Sequence, residues 1–469
     1  MRFCPIFWTS ILLAGIAASG NAQLAKPGPL RVGAAKVDIT PAQSELPKQY
    51  LGVLDPVYSR AIVIDNGFTK AALVSVDVIS LSDAICKRLS ERIIAELGIP
   101  AKNQVLAGVG VHSSPIAGGG RPPQTPAAGS PAAPAPPTPF EDKIFNSVKT
   151  ALGNLQPARM SFGKGVSYIN VNRDNIDPKT HGWWEGPNYD GLSDKQVAVL
   201  KFAALNGDPI AVYYNYAVFN VTAGVLDLVS GDVSGAASRY IEDSYDGKVV
   251  AAFSLGAHGD QNPIFFQQTF DLREIRIADY AKRGQDIRNA MPPPGGVGLD
   301  RNDPKVAKLM NQQKQLLLSM GQMLGEEVLH VVRGTTRELT TAGIYGDQKT
   351  VTCPGRQRTN EGRGGVEGTY KDADPVDILV GILLIGDVAI GEVNANPYTQ
   401  IGLRFKKESP FANSMMTSRA NGVSRGGYIP DDASYGHETF SVLNSALKPG
   451  CAETAIVDGI IGMMPRIMY

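Results

Sequence analysis

A chain of 469 residues is too long for one small core and points to two or three subdomains, or to one large elaborated α/β domain. Its hydrophobic content of 43% and charged content of 19% are those of a folded globular protein. Lys plus Arg number 45 and Asp plus Glu number 45, so the formal net charge is zero; this removes the electrostatic case for a nucleic-acid partner, which needs a basic excess or a basic face.

Residues 1–22 read as an export signal. Arg2 gives a positive start, "ILLAGIAA" (11–18) a short apolar core, and "GNA" (20–22) a small-residue cleavage site before Gln23. The apolar stretch is shorter than the ~20 residues of a membrane span, with a retained N-terminal anchor as the alternative. No later segment is long enough to span, so the expectation is an exported protein with no stable membrane span.

"LRVGAAKVDITP" (30–41) alternates as a strand and stops at Pro41. Residues 59–81 read as a hairpin, two β-branched runs around "DNG". Residues 82–100 read as a helix: Ser82 or Asp83 caps it, Ile85, Leu89, Ile93 and Leu97 share a face, and Gly98 with Pro100 ends it. "NQVLAGVGVHSS" (103–114) returns to strand and delivers His112. The Pro/Gly/Ala-rich segment 117–139 reads as an exposed loop, either a flap over a cleft or a plain insertion. Residues 140–155 resume as helix, 264–333 are mostly helical with a break at 291–300, and 376–395 read as two buried strands around a Gly-Asp turn. No internal repeat is evident. The order strand, helix, strand predicts a mixed α/β fold. Cys86, Cys353 and Cys451 follow the signal, with Cys353 and Cys451 the first pair to test for a disulfide.

His330, within a helix, reads as a packed or surface residue, and His181 lies in a polar aromatic loop. His112, His258 and His437 sit in Gly-rich turns, where backbone approaches a ligand closely. "AAFSLGAHGDQNP" (251–263) runs a buried strand into a turn carrying His258, Asp260, Gln261 and Asn262. That offers one pocket an acid/base pair and hydrogen-bond donors; the alternative is an Asx-rich turn bonded to its own backbone. Glu392 at a strand end is a candidate metal ligand, general base or arginine partner, and "NGVSRGGYIPDDASYGHETF" (421–440) presents Tyr428 and His437. No GxSxG elbow, HExxH helix or P-loop is present.

The segments "VGAAKVDITP", "DPVYSRAIVID" (55–65), "HSSP" (112–115), "VNRDN" (171–175), "SGDVSGAASRYIE" (230–242), "GDQNP" (259–263), "GEVNANPYTQIGLRFK" and "NGVSRGGYIP" occur in one order. Together they resemble the catalytic domain of neutral/alkaline non-lysosomal ceramidases, over most of residues 31–465. The resemblance implies a mixed α/β domain of that type over 23–469, without the C-terminal immunoglobulin-like domain of ceramidases. It also implies hydrolysis of an amide bond with one zinc ion held by two histidines, a glutamate and a tyrosine, aided by a serine. Placed residue by residue, the glutamate falls on Glu392 and the tyrosine on Tyr428. The two histidine positions fall on Gly110 and Phe219, with His112 a second histidine of the first motif, and the serine falls on or near Asn262. Ser234, in a literal "GDVS", corresponds to a non-catalytic segment.

Three readings follow. One is a hydrolase of amides or esters in a small apolar or amphiphilic substrate, with a metal held in a rearranged site by His112, His258 and Glu392. Another is a metal-independent acid–base lyase or isomerase using His258, Asp260, Glu392 and Tyr428. The last is a non-catalytic binding protein. Trp183, Trp184 and Tyr189 are candidates for lining an apolar cleft. The sequence leaves the oligomeric state open.

Overall fold

The computed structural model describes residues 25–115, 138–288 and 297–465. The export signal, all but the last two residues of the segment 117–139, and most of the break at 291–300 lie outside the described residues.

In chain order the main elements are β1 (Arg31–Asp38), β2 (Tyr58–Asp65), β3 (Lys70–Val76), α1 (Asp83–Leu97), β4 (Gln104–Gly108), α2 (Pro139–Gly153), β5 (Gln156–Val166), β6 (Asn170–Ile176) and β7 (Trp183–Asn188). They continue with β8 (Gln196–Ala204), β9 (Pro209–Tyr216), α3 (Asp232–Asp243), β10 (Val250–Leu255), β11 (Gln261–Pro263), α4 (Gln267–Lys282) and α5 (Pro304–Gly334). The last are β12 (Ile344–Arg358), β13 (Tyr370–Ile385), β14 (Val388–Val393), α6 (Thr399–Glu408), β15 (Asn413–Ser418) and α7 (Ala452–Ile461).

Local sequence explains the first units. The Asn66 side chain accepts from the backbone N–H of Phe68 and Thr69, closing the β2–β3 turn. Ser82 caps α1 by accepting from Ile85 N, and Gly98, left-handed at φ 64°, ends it. The face Ile85, Cys86, Leu89, Ile93 and Leu97 is buried against the sheet and α2. Each large apolar side chain there contributes about 1.5–3 kcal/mol, and Leu89→Ala would cost about 2–5 kcal/mol.

Eight strands form one mixed sheet in the order β10-β9-β8-β5-β1-β2-β3-β4. A second sheet, β12-β13-β14-β15, faces it: Ile62, Leu73, Val105 and Leu200 of the first share a core with Leu383, Ile385, Ile390 and Met415 of the second. Helices α1, α2, α3 and α5 cover the outer face of the large sheet, and α6 and α7 cover the small one. β2 is therefore buried on both faces, and its Ala61–Ile64 stretch reads as a continuous apolar run.

Among the described residues three neighbouring pairs of long strands are parallel: β3–β4, β9–β10 and β14–β15. Each is joined by a crossover helix, α1, α3 and α6 respectively, as parallel pairing requires. Residues leaving the carboxyl ends of such pairs emerge side by side, where α/β sheets place ligands.

The structure differs from the sequence reading in detail. The strand expected over 103–114 ends at Gly108, because Gly110 takes φ 76° and turns the chain. The helical region 264–333 resolves into α4 and α5. The two strands expected over 376–395 belong to a ribbon that begins at Ile344. Cys353 and Cys451 form a disulfide, and Cys86 is free and buried. Among the described residues no helix is long and apolar enough to cross a membrane.

Candidate active site

β9 and β10 run in register, with Tyr216 beside Leu255, so Phe219 and His258 leave the sheet together. Their rings meet edge to face at 4.4 Å. The chain leaving β4 joins them: His112 N donates to Asn220 O at 3.0 Å, and its ring lies 6.0 Å from Phe219. From the second sheet, Arg419 follows β15, and Asn396 follows β14. Asn396 pairs with Tyr428 in a short parallel ladder. Arg173 reaches in from β6, its guanidinium 4.5 Å from the Phe219 ring and 5.4 Å from that of Tyr428.

Both histidines are fixed in one tautomer. Nδ1 of His112 lies 2.9 Å from Gly110 O, and Nδ1 of His258 2.9 Å from Gly256 O. A carbonyl only accepts, so Nδ1 carries the proton and Nε2 presents a lone pair. His258 is fully buried, and its Nε2 has no hydrogen-bond partner among the described residues. Burial, then the nearby Arg419 charge, pushes the His112 pKa down to about 4 and holds that of His258 well below the ordinary range. Both rings are neutral near pH 7.

The two arginines are buried. Arg173 donates through Nη2 to Gly259 O at 2.9 Å and to Ser441 Oγ, and its Nη1 lies 3.3 Å from Glu185. Arg419 donates from Nε to Asn396 Oδ1 at 2.6 Å and from Nη1 to Ile79 O at 2.5 Å.

The remaining sequence candidates divide. Asp260 is adjacent, but its oxygens are taken by Thr399 N, Thr399 Oγ1 and Asn172 Nδ2, each at 2.9 Å. Burial raises its pKa to about 7, and the bonds make it a tie between β6, β11 and α6. Asn262 is buried beside this turn with Oδ1 unpartnered among the described residues. Glu392 is not brought to the histidines: it lies between the sheets, accepting from Asn421 Nδ2 at 2.6 Å and Gln348 Nε2 at 3.4 Å. Asn396, three residues beyond β14, occupies the place beside Tyr428 instead. Ser234 is buried in α3, its Oγ bonded to Gly231 O. His437 donates from Nδ1 to Asp174 at 2.9 Å and stacks on Trp183 at 4.0 Å. Trp184 packs on Phe270, Tyr189 is exposed, and His330 is an exposed partner of Glu327.

Sequence reading missed Arg173, Asn396 and Arg419. The available signal for Arg419 was a long cation between a buried strand and a Gly-rich turn.

Zinc needs three or four N, S or O donors in tetrahedral reach. Gly110 and Phe219 supply none, and Glu392 is bonded elsewhere. Tyr428 and the two histidines share their space with two guanidinium groups. A side chain added at Gly110 would start 4.0 Å from Arg419 Nε. Among the described residues no group of three His, Cys, Asp or Glu side chains is placed to hold a metal. The residues present do not fit the zinc ion that the resemblance implies.

Residues 31–275 match the model of the family described as neutral/alkaline non-lysosomal ceramidase, N-terminal. The neutral ceramidase of Pseudomonas aeruginosa is 28% identical over 303 residues, covering 54% of this chain and 41% of that protein. Neutral ceramidase B of Dictyostelium discoideum is 30% identical over 129 residues, 26% of this chain and 18% of that protein. The chain thus spans less than half the length of the curated relatives it matches. Two solved structures share the fold. A ceramidase complexed with C2 gives a TM-score of 0.65 at 16% identity over 92% of this chain and 74% of that one. The neutral ceramidase from Pseudomonas aeruginosa gives 0.63 at 17% identity over 93% and 74%. On the family match over residues 31–275, this chain belongs to the neutral/alkaline non-lysosomal ceramidase family.

Proposed function

We propose that this protein is an exported hydrolase that cleaves an amide or ester bond of an amphiphilic substrate without a bound metal. The observation that carries this reading is the placement of two neutral histidines, neither with a hydrogen-bond partner on Nε2 among the described residues, beside two buried guanidinium groups in a chain of this family. His112, the less buried of the pair, accepts a proton from water as it attacks the carbonyl. Arg173 and the Tyr428 hydroxyl face the oxygen that gains charge in the tetrahedral intermediate. The collapse of that intermediate releases the amine or alcohol, which takes up the proton held by His112. The aromatic rings of Phe219, Tyr428 and Phe440 support an apolar acyl chain alongside. Export is supported by the N-terminal signal pattern and by a disulfide that persists in an oxidising compartment.

Hydrolysis of N-acyl amides and p-nitrophenyl esters by the dialysed full chain, with and without chelator, tests the proposal. Turnover that is unaffected by chelator and lost in His112→Ala and Arg173→Ala is the expected result. No turnover of either bond, or turnover that needs added metal, overturns it.

A second reading, acid–base lyase chemistry, is favoured by the oriented His437–Asp174 pair. Product analysis separates the two, since hydrolysis consumes water and elimination leaves an alkene.

A further inference from the structure

Arg419 is a buried cation with no acidic partner among the described residues. The residue is 9% exposed, and its two hydrogen bonds go to neutral acceptors, Asn396 Oδ1 and Ile79 O. Burial lowers its pKa, Tyr428 opposes that shift, and Arg173, a second cation, adds to it. Arg173 has Glu185 to offset it, although Glu185 also pairs with the more exposed Arg363.

Burying a charge without a counterion is costly, and a long side chain ordinarily escapes that cost by reaching water. Here the fold does the reverse. Arg419 sits at φ 54°, a left-handed backbone that non-glycine residues avoid, and Asn396 and Ile79 hold two of its nitrogens. Gly110 packs closely beside it: a Cβ there would stand 3.0 Å from Leu255 Cδ2 and 4.0 Å from Arg419 Nε, so a larger residue at 110 would crowd the guanidinium. His258 Nε2, fully buried and unpartnered among the described residues, lies in the same cluster. A cation held in place, with further N–H donors that have no partner among the described residues, beside an orphaned ring nitrogen, is built for a ligand that brings negative charge.

We infer that Arg419 recognises an anionic group carried by the substrate itself, a carboxylate, so that the substrate class is an N-acyl amino acid or its ester analogue. This deepens the hydrolase reading and rests on it for the scissile bond. A carboxylate matches the flat fork of a guanidinium in a bidentate contact. Its single charge matches the single charge of Arg419, which has no acidic partner among the described residues, whereas a phosphate dianion exceeds it. The aromatic rings of Phe219, Tyr428 and Phe440 leave the rest of the site suited to an apolar chain. Cleavage would add water across the amide, giving a fatty carboxylate and the free amino acid.

The test is calorimetric titration of the full chain with N-(dodecylsulfonyl)glycine, whose sulfonamide is not cleaved, against its neutral glycinamide counterpart. The carboxylate is expected to bind about tenfold or more tightly than the amide. In Arg419→Gln the two should bind within about twofold of each other, and Arg419→Lys should retain part of the preference. Equal binding of both probes to the unmodified protein overturns the inference, as does a preference that survives Arg419→Gln. Should Arg419→Gln fail to fold, Arg419→Lys decides, an undiminished preference there counting against recognition by the fork. Displacement of the probe by millimolar inorganic phosphate reassigns the site to phosphate and refutes the carboxylate. A preference for the carboxylate probe without turnover of N-lauroylglycine sinks the hydrolase reading alone; turnover without preference sinks only the anion site.

Discussion

The Nε of Arg419 donates to Asn396 Oδ1 at 2.6 Å, and Asn396 is the ladder partner of Tyr428. A neutral amide therefore stands where a carboxylate would have neutralised the guanidinium. Replacing it by Asn396→Asp supplies that carboxylate. The expected outcome is a closed ion pair: the preference for the carboxylate probe falls about tenfold, and the melting temperature holds or rises. Calorimetry on the variant and the parent checks it, and an undiminished preference would show that Arg419 does not receive the anion.

Glu392 is buried between the sheets, and burial pushes its pKa up to about 8, against hydrogen bonds from Gln348 and Asn421. In the unfolded chain it ionises near pH 4. Between these values the folded protein keeps a proton that the unfolded chain has lost. Stability from this residue is therefore full below about pH 4 and declines as pH rises towards 8, by up to about 1.4 kcal/mol per pH unit. Glu392→Gln keeps an oxygen for Asn421 and removes the titration. It is expected to match the parent at pH 4 and to exceed it at pH 8 by up to about 5 kcal/mol. Parallel melting curves for the two proteins across that range would refute this.

These residues also show what a sequence displays and what it withholds. The first α-helix, Asp83–Leu97, was legible because its cap, its apolar face and its glycine stop are all local. The same holds for the hairpin around Asn66 and for His258 at a strand end. A glutamate after a strand looks the same whether it faces a cleft or a second sheet, so the sequence does not show that Glu392 turns to Asn421 and Gln348 between the sheets. Only the β14–β15 ladder, which sends Asn396 and Arg419 out together, decides between them. Arg419 itself comes 246 positions after Arg173 in the chain, and no periodicity announces that two such cations converge.

Cys353 and Cys451 tie the edge strand of the small sheet to the start of α7 across 98 positions. In the chain-entropy account a loop of that length is worth about 4–5 kcal/mol. The double variant Cys353→Ser/Cys451→Ser should unfold at a correspondingly lower denaturant concentration. Cys86 is buried, and burial pushes its thiol pKa up, so it should remain unreactive to a thiol reagent until the protein unfolds. Equal stability of the double variant and the parent would count against the cross-link.

His437 donates to Asp174, which also accepts from the Tyr398 hydroxyl at 3.0 Å, and the imidazole stacks on Trp183. In the hydrolase reading this pair positions the tryptophan and takes no part in proton transfer. His437→Ala is then expected to raise KM about three- to tenfold and to leave kcat within about threefold. A loss of kcat beyond a hundredfold, with KM unchanged, would instead make His437 an acid–base residue and favour elimination chemistry. Asp174→Asn, which disturbs a buried acceptor, should cost about 1–3 kcal/mol in stability.

Restoring donors tests the proposal that the site works without a metal. Gly110→His with Phe219→His returns the two donors that the family pattern has, beside Tyr428 and the histidines already present. Arg419 still stands 4.0 Å from where the side chain at 110 begins, and Gly110 has φ 76°, so the new ring meets both a positive charge and a strained backbone. A cation next to the donors lowers their affinity for a second cation, just as it lowers the pKa of His112. The double variant is therefore expected to take up zinc no better than the parent. Adding Arg419→Gly removes the charge and suits the left-handed position, and zinc affinity should rise about a hundredfold or more. Competition with a chelating dye measures each step. Tight zinc binding by the double variant with Arg419 intact would show that the guanidinium does not exclude the metal.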